Sequence, residues 1–215
     1  MVNGGLQIGG FLLGLIGWIL GIVTCALPDW RKNDLQGEVI ESVIRTTGLW
    51  VRCTTQATGL WTCDDYDSFF LGLPVALQAA RACVCLSIAM GFLSCICSVF
   101  GLECTNISAG NPKMKARITL VAGLLNFIGG VSVGIAVSWF AANVLQEYWN
   151  PLGAATSNTR YVYGSALFVG WISMAVSVIA GLVQCCSSWN VDDEDNGRPY
   201  TYNPSKPKAS SAEYI

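Results

Sequence analysis

Cys53 and Cys63 are the residues of this chain best placed for chemistry. They stand ten positions apart in a polar stretch, and Asp64, Asp65 and Asp67 follow directly. An isolated cysteine pair in a polar segment suits an oxidising compartment, where it forms a disulfide. Closing so small a loop is worth roughly 2–4 kcal/mol in the chain-entropy model. Free thiols are the alternative. Clustered carboxylates on a confined wall attract cations and repel anions; on an open loop they are ordinary solvated charges.

Other chemistry is poorly supplied. The chain holds 10 cysteines but no histidine, which removes Ser-His and Cys-His catalysis and histidine-ligated metals. The remaining eight cysteines sit in or beside apolar stretches. Cys83/Cys85 and Cys95/Cys97 are two residues apart, so on a helix they point to different faces and make poor metal clips. No metal and no cofactor is expected. Neither a catalytic pair nor a phosphate-binding loop is present, so the chain does not read as an enzyme. With 12 Lys+Arg against 14 Asp+Glu and no long basic run, no nucleic-acid partner is expected.

The elements that must carry these residues are membrane helices. Hydrophobic residues make up 53% of the chain and charged residues 12%, about half the share of a soluble protein. Residues 6–27, 82–102, 118–142 and 162–184 contain no Asp, Glu, Lys or Arg. About 20 apolar residues cross a hydrocarbon core of about 30 Å. A chain of 215 residues is too short to bury four such helices on all faces in water. The first stretch has no basic residues before it and is long for a signal peptide, although Thr24 and Ala26 form a weak cleavage pattern; a retained helix is expected. Glycines such as Gly10, Gly14, Gly123 and Gly130 let helices approach closely. A tight four-helix bundle follows. It has no intramembrane charge, which proton and ion relays generally need.

Four crossings place both termini on one side, with connections 28–81, 103–117 and 143–161. Lys and Arg divide equally between the two sides, so the positive-inside rule does not decide. The cysteine pair does: 28–81 and 143–161 lie outside, and both termini are cytosolic. The sequon at Asn106 then faces the cytosol and stays unglycosylated. Within the long outer connection, residues 37–45, 49–54 and 60–63 are β-branched or aromatic and are separated by Gly37, Gly48 and Gly59. They read as strands and turns. The tail 190–215 carries an acidic run and several prolines and is expected to be disordered.

The order Trp30, Gly48-Leu49-Trp50, Cys53, Cys63 resembles the W–GLW–C–C signature of the claudin family. Arg81, Cys104-Thr105-Asn106 and an aromatic second loop ending in Pro151 match as well. The resemblance covers residues 1–189 and the C-terminus. Lens-fibre, peripheral-myelin and receptor-auxiliary tetraspan relatives share the signature, so an auxiliary subunit of another channel is an alternative function. The C-terminal Glu213-Tyr214-Ile215 is closer to the claudins, which typically end in Tyr-Val.

The resemblance implies a left-handed four-helix bundle (1–189) topped by an extracellular five-stranded antiparallel sheet. Four strands would come from the first loop and one from the second, around residues 160–163. It implies a plasma-membrane protein of tight junctions that polymerises with itself and other claudins, adheres between cells and controls paracellular permeability. Trp30, Gly48, Leu49 and Trp50 would anchor the sheet to the membrane, with tryptophan rings at the bilayer interface. Phe69 would insert into a neighbour's pocket at Tyr148, Trp149 and Tyr163, and the turn at Asn150 and Pro151 would serve adhesion. Cys104, Cys185 and Cys186 lie at cytosolic helix ends, where palmitoylation occurs. Tyr214 and Ile215 would bind a PDZ scaffold of the zonula occludens type. Asp64 and Asp65 fall where cation-conducting members carry acids. Gln56, neutral at another such position, and Arg52 pull the other way. The reading is a cation-selective pore, with a barrier as its alternative.

Overall fold

The protein is described by a computed structural model covering residues 4–34, 43–66, 73–102, 112–149 and 160–196. In chain order the elements are α1 (Gly4–Ala26), β1 (Arg31–Asp34), β2 (Ile44–Thr47), β3 (Val51–Thr55), β4 (Trp61–Asp65), α2 (Val75–Gly101), α3 (Pro112–Trp149), β5 (Arg160–Tyr163) and α4 (Ser165–Asn196). All four helices are long and apolar enough to cross a membrane.

Their ends differ from the limits of the charge-free stretches, because hydropathy marks lipid contact rather than helix caps. Pro74 precedes α2 at φ −53°; its fixed φ and missing N–H suit a helix start. The helix therefore begins well before residue 82 and takes in Arg81. Helix α3 has 38 residues, about 57 Å at about 1.5 Å per residue. Residues 143–149, expected as loop, continue it: they contain no Gly or Pro, and Pro151 follows them. At α4 the strand β5 claims Val162 and Tyr163 from the charge-free stretch. The helix starts only after Gly164, where the Ser165 N–H and Oγ–H donate to Asp29 Oδ2 at 3.1 and 2.7 Å. That is an N-cap supplied from a distant part of the chain. Helix α4 runs to Asn196, beyond the expected domain limit of 189, since the first breakers after Gly181 are Gly197 and Pro199.

The helices close a ring in which α2 packs on α3, α3 on α4, α4 on α1 and, more lightly, α1 on α2. Backbones come together at small residues. A Cβ on Gly123 would lie 2.9 Å from the Gly181 carbonyl oxygen, and one on Gly181 would lie 2.7 Å from that of Gly123. Serines cross-link the helices: Ser94 Oγ donates to the Ala122 carbonyl at 2.7 Å, and Ser173 Oγ to the Gly17 carbonyl at 2.9 Å. Such bonds replace the hydrophobic driving force that lipid does not supply. Outward faces carry exposed Leu, Ile and Phe, as at Leu12, Ile16, Phe92 and Ile135, a pattern suited to lipid.

The strands form one antiparallel sheet in the order β4-β3-β2-β1-β5. Strand β1 was not legible in the sequence: Arg31-Lys32-Asn33-Asp34 has neither β-branched residues nor alternation. Pairing on both sides makes it a strand, with Arg31 opposite Thr47 of β2 and Tyr163 of β5. Of the stretch 37–45 only Ile44 and Arg45 lie in a described strand; residues 35–42 fall outside the described residues. Strands β3 and β4 join through residues 56–60, where Gly59 adopts φ +80° and the Gln56 carbonyl accepts the Gly59 N–H at 2.9 Å. The best-buried cluster lies at the junction of sheet and bundle, around Trp30, Leu49, Leu77, Val84, Val137 and Phe140.

Candidate functional site

The sheet is fixed to the helix ends by residues of the signature. Trp30 is fully buried, stacks edge-on against Phe140 at 5.2 Å and donates Nε1–H to the Thr24 carbonyl at 3.0 Å. Its ring therefore lies inside the protein. Gly48 sits where a Cβ would lie 2.5 Å from Pro28 Cα, so any side chain would drive the β2–β3 turn off the end of α1. Arg81 is 7% exposed. A buried guanidinium needs partners. Its Nε donates to the Leu49 carbonyl at 2.7 Å, and it lies 5.0 Å from the Trp50 ring and 5.1 Å from the Tyr66 ring. Trp50 Nε1–H donates to Cys25 Sγ at 3.3 Å.

Two participants had no signal in the sequence. Tyr66 donates its hydroxyl hydrogen to the Gly48 carbonyl at 2.8 Å, which ties the segment after β4 to the turn before β3. Asp29 caps α4 and pairs with Lys32 at 3.0 Å. Partial burial pushes the Asp29 carboxyl up, but hydrogen bonds from Ser165 and Lys32 outweigh it. Its pKa lies below the usual aspartate value.

Among the described residues strand β4 is an edge of the sheet, and all five of its residues are exposed. Cys63 lies directly opposite Cys53 of β3, with a Cα–Cα separation of 4.1 Å, and the two form a disulfide. Cys53 is buried, so the bridge fastens an exposed edge to an interior strand. Asp64 is opposite Arg52, and Asp65 is opposite Val51. Successive strand residues point to opposite faces. The two acids therefore share a strand but not a surface. The Arg52 guanidinium rests 4.6 Å from the centre of the Tyr66 ring.

The other edge, β5, meets the end of α3. Val144, Leu145, Tyr148, Tyr161, Val162 and Tyr163 surround an apolar cavity of about 180 Å³. Tyr148 and Tyr163, predicted to form a pocket, are thus brought together. Trp149 is 73% exposed and sits edge-on to Tyr148 at 5.6 Å. A second cavity of about 440 Å³, with a mixed polar and apolar lining, lies between sheet and helix ends. On its wall Arg31 pairs with Glu147 at 3.0 Å and lies 4.4 Å from the Tyr161 ring. Glu147 escaped the sequence reading because its segment was expected to be loop.

Cys185 is half-buried and Cys186 exposed within α4, which runs on to Asn196, both as free thiols. Phe69, Asn150, Pro151, Cys104, Tyr214 and Ile215, like Asp67, lie outside the described residues.

Known proteins resemble this chain along its length. A family profile described as the PMP-22/EMP/MP20/Claudin family matches residues 4–184. Claudin-19 of Homo sapiens is 38% identical over 216 residues, spanning 100% of this chain and 94% of the relative. Claudin-7 of Mus musculus is 34% identical over 217 residues, covering 100% of both chains. Claudin-4 of Homo sapiens is 37% identical over 213 residues, covering 99% of this chain and 96% of its own. A four-helix bundle, a five-stranded sheet seated on Trp30 and Gly48-Leu49-Trp50, a Cys53–Cys63 disulfide and full-length likeness to three claudins lead to one assignment: the chain is a member of the claudin family.

Proposed function

We propose that this protein builds tight-junction strands and sets their paracellular permeability. Claudins are structural junction proteins, not enzymes. The observation that carries the reading is the apolar cavity between α3 and β5. It is large enough for one aromatic side chain and lies beside the exposed Trp149. An apolar recess of this kind gains by being filled from a neighbouring molecule. Phe69 of an adjacent copy is the proposed occupant, and the turn at Asn150 and Pro151 is the proposed contact across cells. In this reading the sheet is extracellular, where its disulfide finds oxidising conditions. Both termini are cytosolic, Tyr214 and Ile215 engage a zonula occludens-type PDZ domain, and Cys104, Cys185 and Cys186 are acylation sites. The test is Phe69→Glu, examined by freeze-fracture in cells that lack strands. Scattered particles in place of continuous strands are expected; normal strands would refute the assignment.

The permeability we propose is cation-selective. Its support is an exposed edge strand carrying Asp64 and Asp65 with no cation on its own length. Wild-type protein in a monolayer should raise sodium over chloride permeability in dilution potentials. Asp64→Asn and Asp65→Asn should each lower that ratio, and Asp64→Lys should push it towards anions. The competing reading is a barrier, which the position of Arg52 opposite Asp64 favours. Raised resistance with no cation preference would establish it.

A further inference from the structure

We infer that one internal water molecule ties the helices together at the end of the bundle away from the sheet. Gln7 of α1, Ser98 of α2 and Gln184 of α4 hold it, and Thr119 of α3 closes the wall beside it. The site is independent of the proposed permeability.

Gln7 lies near the start of α1, whereas the sheet follows the other end of that helix. It is 6% exposed, and Gln184 is 2% exposed. Among the described residues the Oε1 atom of each is buried with no hydrogen-bond partner. A buried acceptor left unsatisfied is costly, and lipid has no donor to offer it. The two glutamines line one small cavity together with Ser98 and Thr119, which are also buried. As space for the centre of a water molecule the cavity measures about 10 Å³, which is room for one. Two orphaned carbonyls and a water-sized space therefore coincide where α1, α2, α3 and α4 meet.

The donors and acceptors select water as the occupant. Ser98 Oγ accepts the Gln184 amide N–H at 3.3 Å, which leaves the serine hydrogen for another acceptor. Thr119 Oγ1 donates its hydrogen to the Lys115 carbonyl at 3.0 Å, so it cannot serve the glutamines. What fits is a molecule with two hydrogens for two carbonyls and a lone pair for Ser98. Those are three bonds, the usual number for a buried water. The terminal torsion of a glutamine is broad, so each carbonyl turns to the cavity at little cost. A metal cation is a poor occupant, because no lining residue carries a negative charge to balance it. The rival arrangement turns one amide over so that the two glutamines bond directly to each other. With the water in place, this end of the bundle is fastened by a polar bridge, as the other end is fastened by Trp30 and Arg81.

The experiment is a crystal structure of the full chain grown in a lipidic mesophase, at a resolution that shows ordered water. A peak about 2.7–3.2 Å from the side-chain amides of both Gln7 and Gln184 is expected. The two amides bonded to each other, with no peak between them, overturn the inference. A peak closer than about 2.6 Å to several oxygens overturns it too, since that is a cation's distance. Thermal midpoints in detergent supply a second measurement, on wild type, Gln7→Leu, Gln184→Leu and the double variant. Each single change leaves one carbonyl and the water short of a partner, and should lower the midpoint by about 2–8 °C. The double variant leaves neither carbonyl in place and should lose clearly less than the two single losses added. Losses that simply add mean that the glutamines share no ligand, which overturns the bridge. If the variants do not fold, the wild-type structure decides alone.

Discussion

The two edges of the sheet are built for different tasks. Strand β4 is open: every residue is exposed, its charges face water, and one disulfide ties it to the interior. Strand β5 is closed against α3: its tyrosines line an apolar cavity, and Tyr161 takes the Arg31 guanidinium over its ring. Between them lies the seat formed by Trp30, Leu49 and Arg81, which is almost wholly buried. The difference separates residues that hold the fold from residues that only charge its surface. Charges on β4 have few neighbours whose packing depends on them, so they can vary at little cost to the fold. Residues in the seat have no such freedom.

The contrast is broken most forcefully at the seat. Gly48→Val forces a branched side chain onto Pro28 Cα. Such overpacking costs typically 1–3 kcal/mol and more where backbone must move. The expected result is protein retained inside the cell and, after detergent extraction, a strongly lowered thermal midpoint. Cys53→Ser comes next. Loss of the bridge costs about 2–4 kcal/mol of constraint, felt in β3 and β4 while the four helices still insert. Hydrogen exchange should show amides of these strands deprotected and those of α1–α4 unchanged.

A smaller effect is expected at Asp29. Asp29→Asn keeps a capping group but removes the carboxylate near the start of α4, a change of about 1 kcal/mol. The native carboxyl has a lowered pKa. Its contribution is therefore present above the unfolded value of about 3.9 and is lost as the pH falls through the native one. Wild type should lose thermal stability over that acidic window more steeply than Asp29→Asn, with the two curves parallel above pH 5. Smallest of all is Asp65→Asn, which should leave the thermal midpoint within the error expected of about 0.5 kcal/mol. A large loss there would mean that β4 is less independent of the core than its exposure indicates.

Much of the fold was legible because charge-free length is a strong signal for a membrane helix, and the four helices stand where four charge-free stretches stood. The helix ends were not legible. Val144 and Glu147 lie beyond the last apolar run of α3, and the helix continues through them because no residue stops it. Strand β1 carries no local preference for strand at all; its neighbours impose the conformation. Trp30 shows a third limit. Tryptophan near a helix end carries no sign of its neighbours in the sequence, and its burial against Phe140 and Thr24 is visible only in the fold. Of the candidate site, the disulfide and the acids were visible as neighbours in sequence. That Asp64 and Asp65 serve opposite surfaces became apparent only from the strand that carries them.

Asp29 and Ser165 are separated by 136 residues, and β1 waits equally long for β5. At about 5–20 residues per second of synthesis, the start of the sheet is made on the order of ten seconds before the element that closes it. Over that interval β2, β3 and β4 have what they need to pair, and Cys53 meets Cys63 early. The edge of β1 that pairs with β5, by contrast, stays open until residues 160–163 have been made. An open strand edge invites pairing with other chains. The polar run Arg31-Lys32-Asn33-Asp34, a poor strand by composition, is suited to that wait: it remains soluble on its own and becomes a strand only when its last partner arrives.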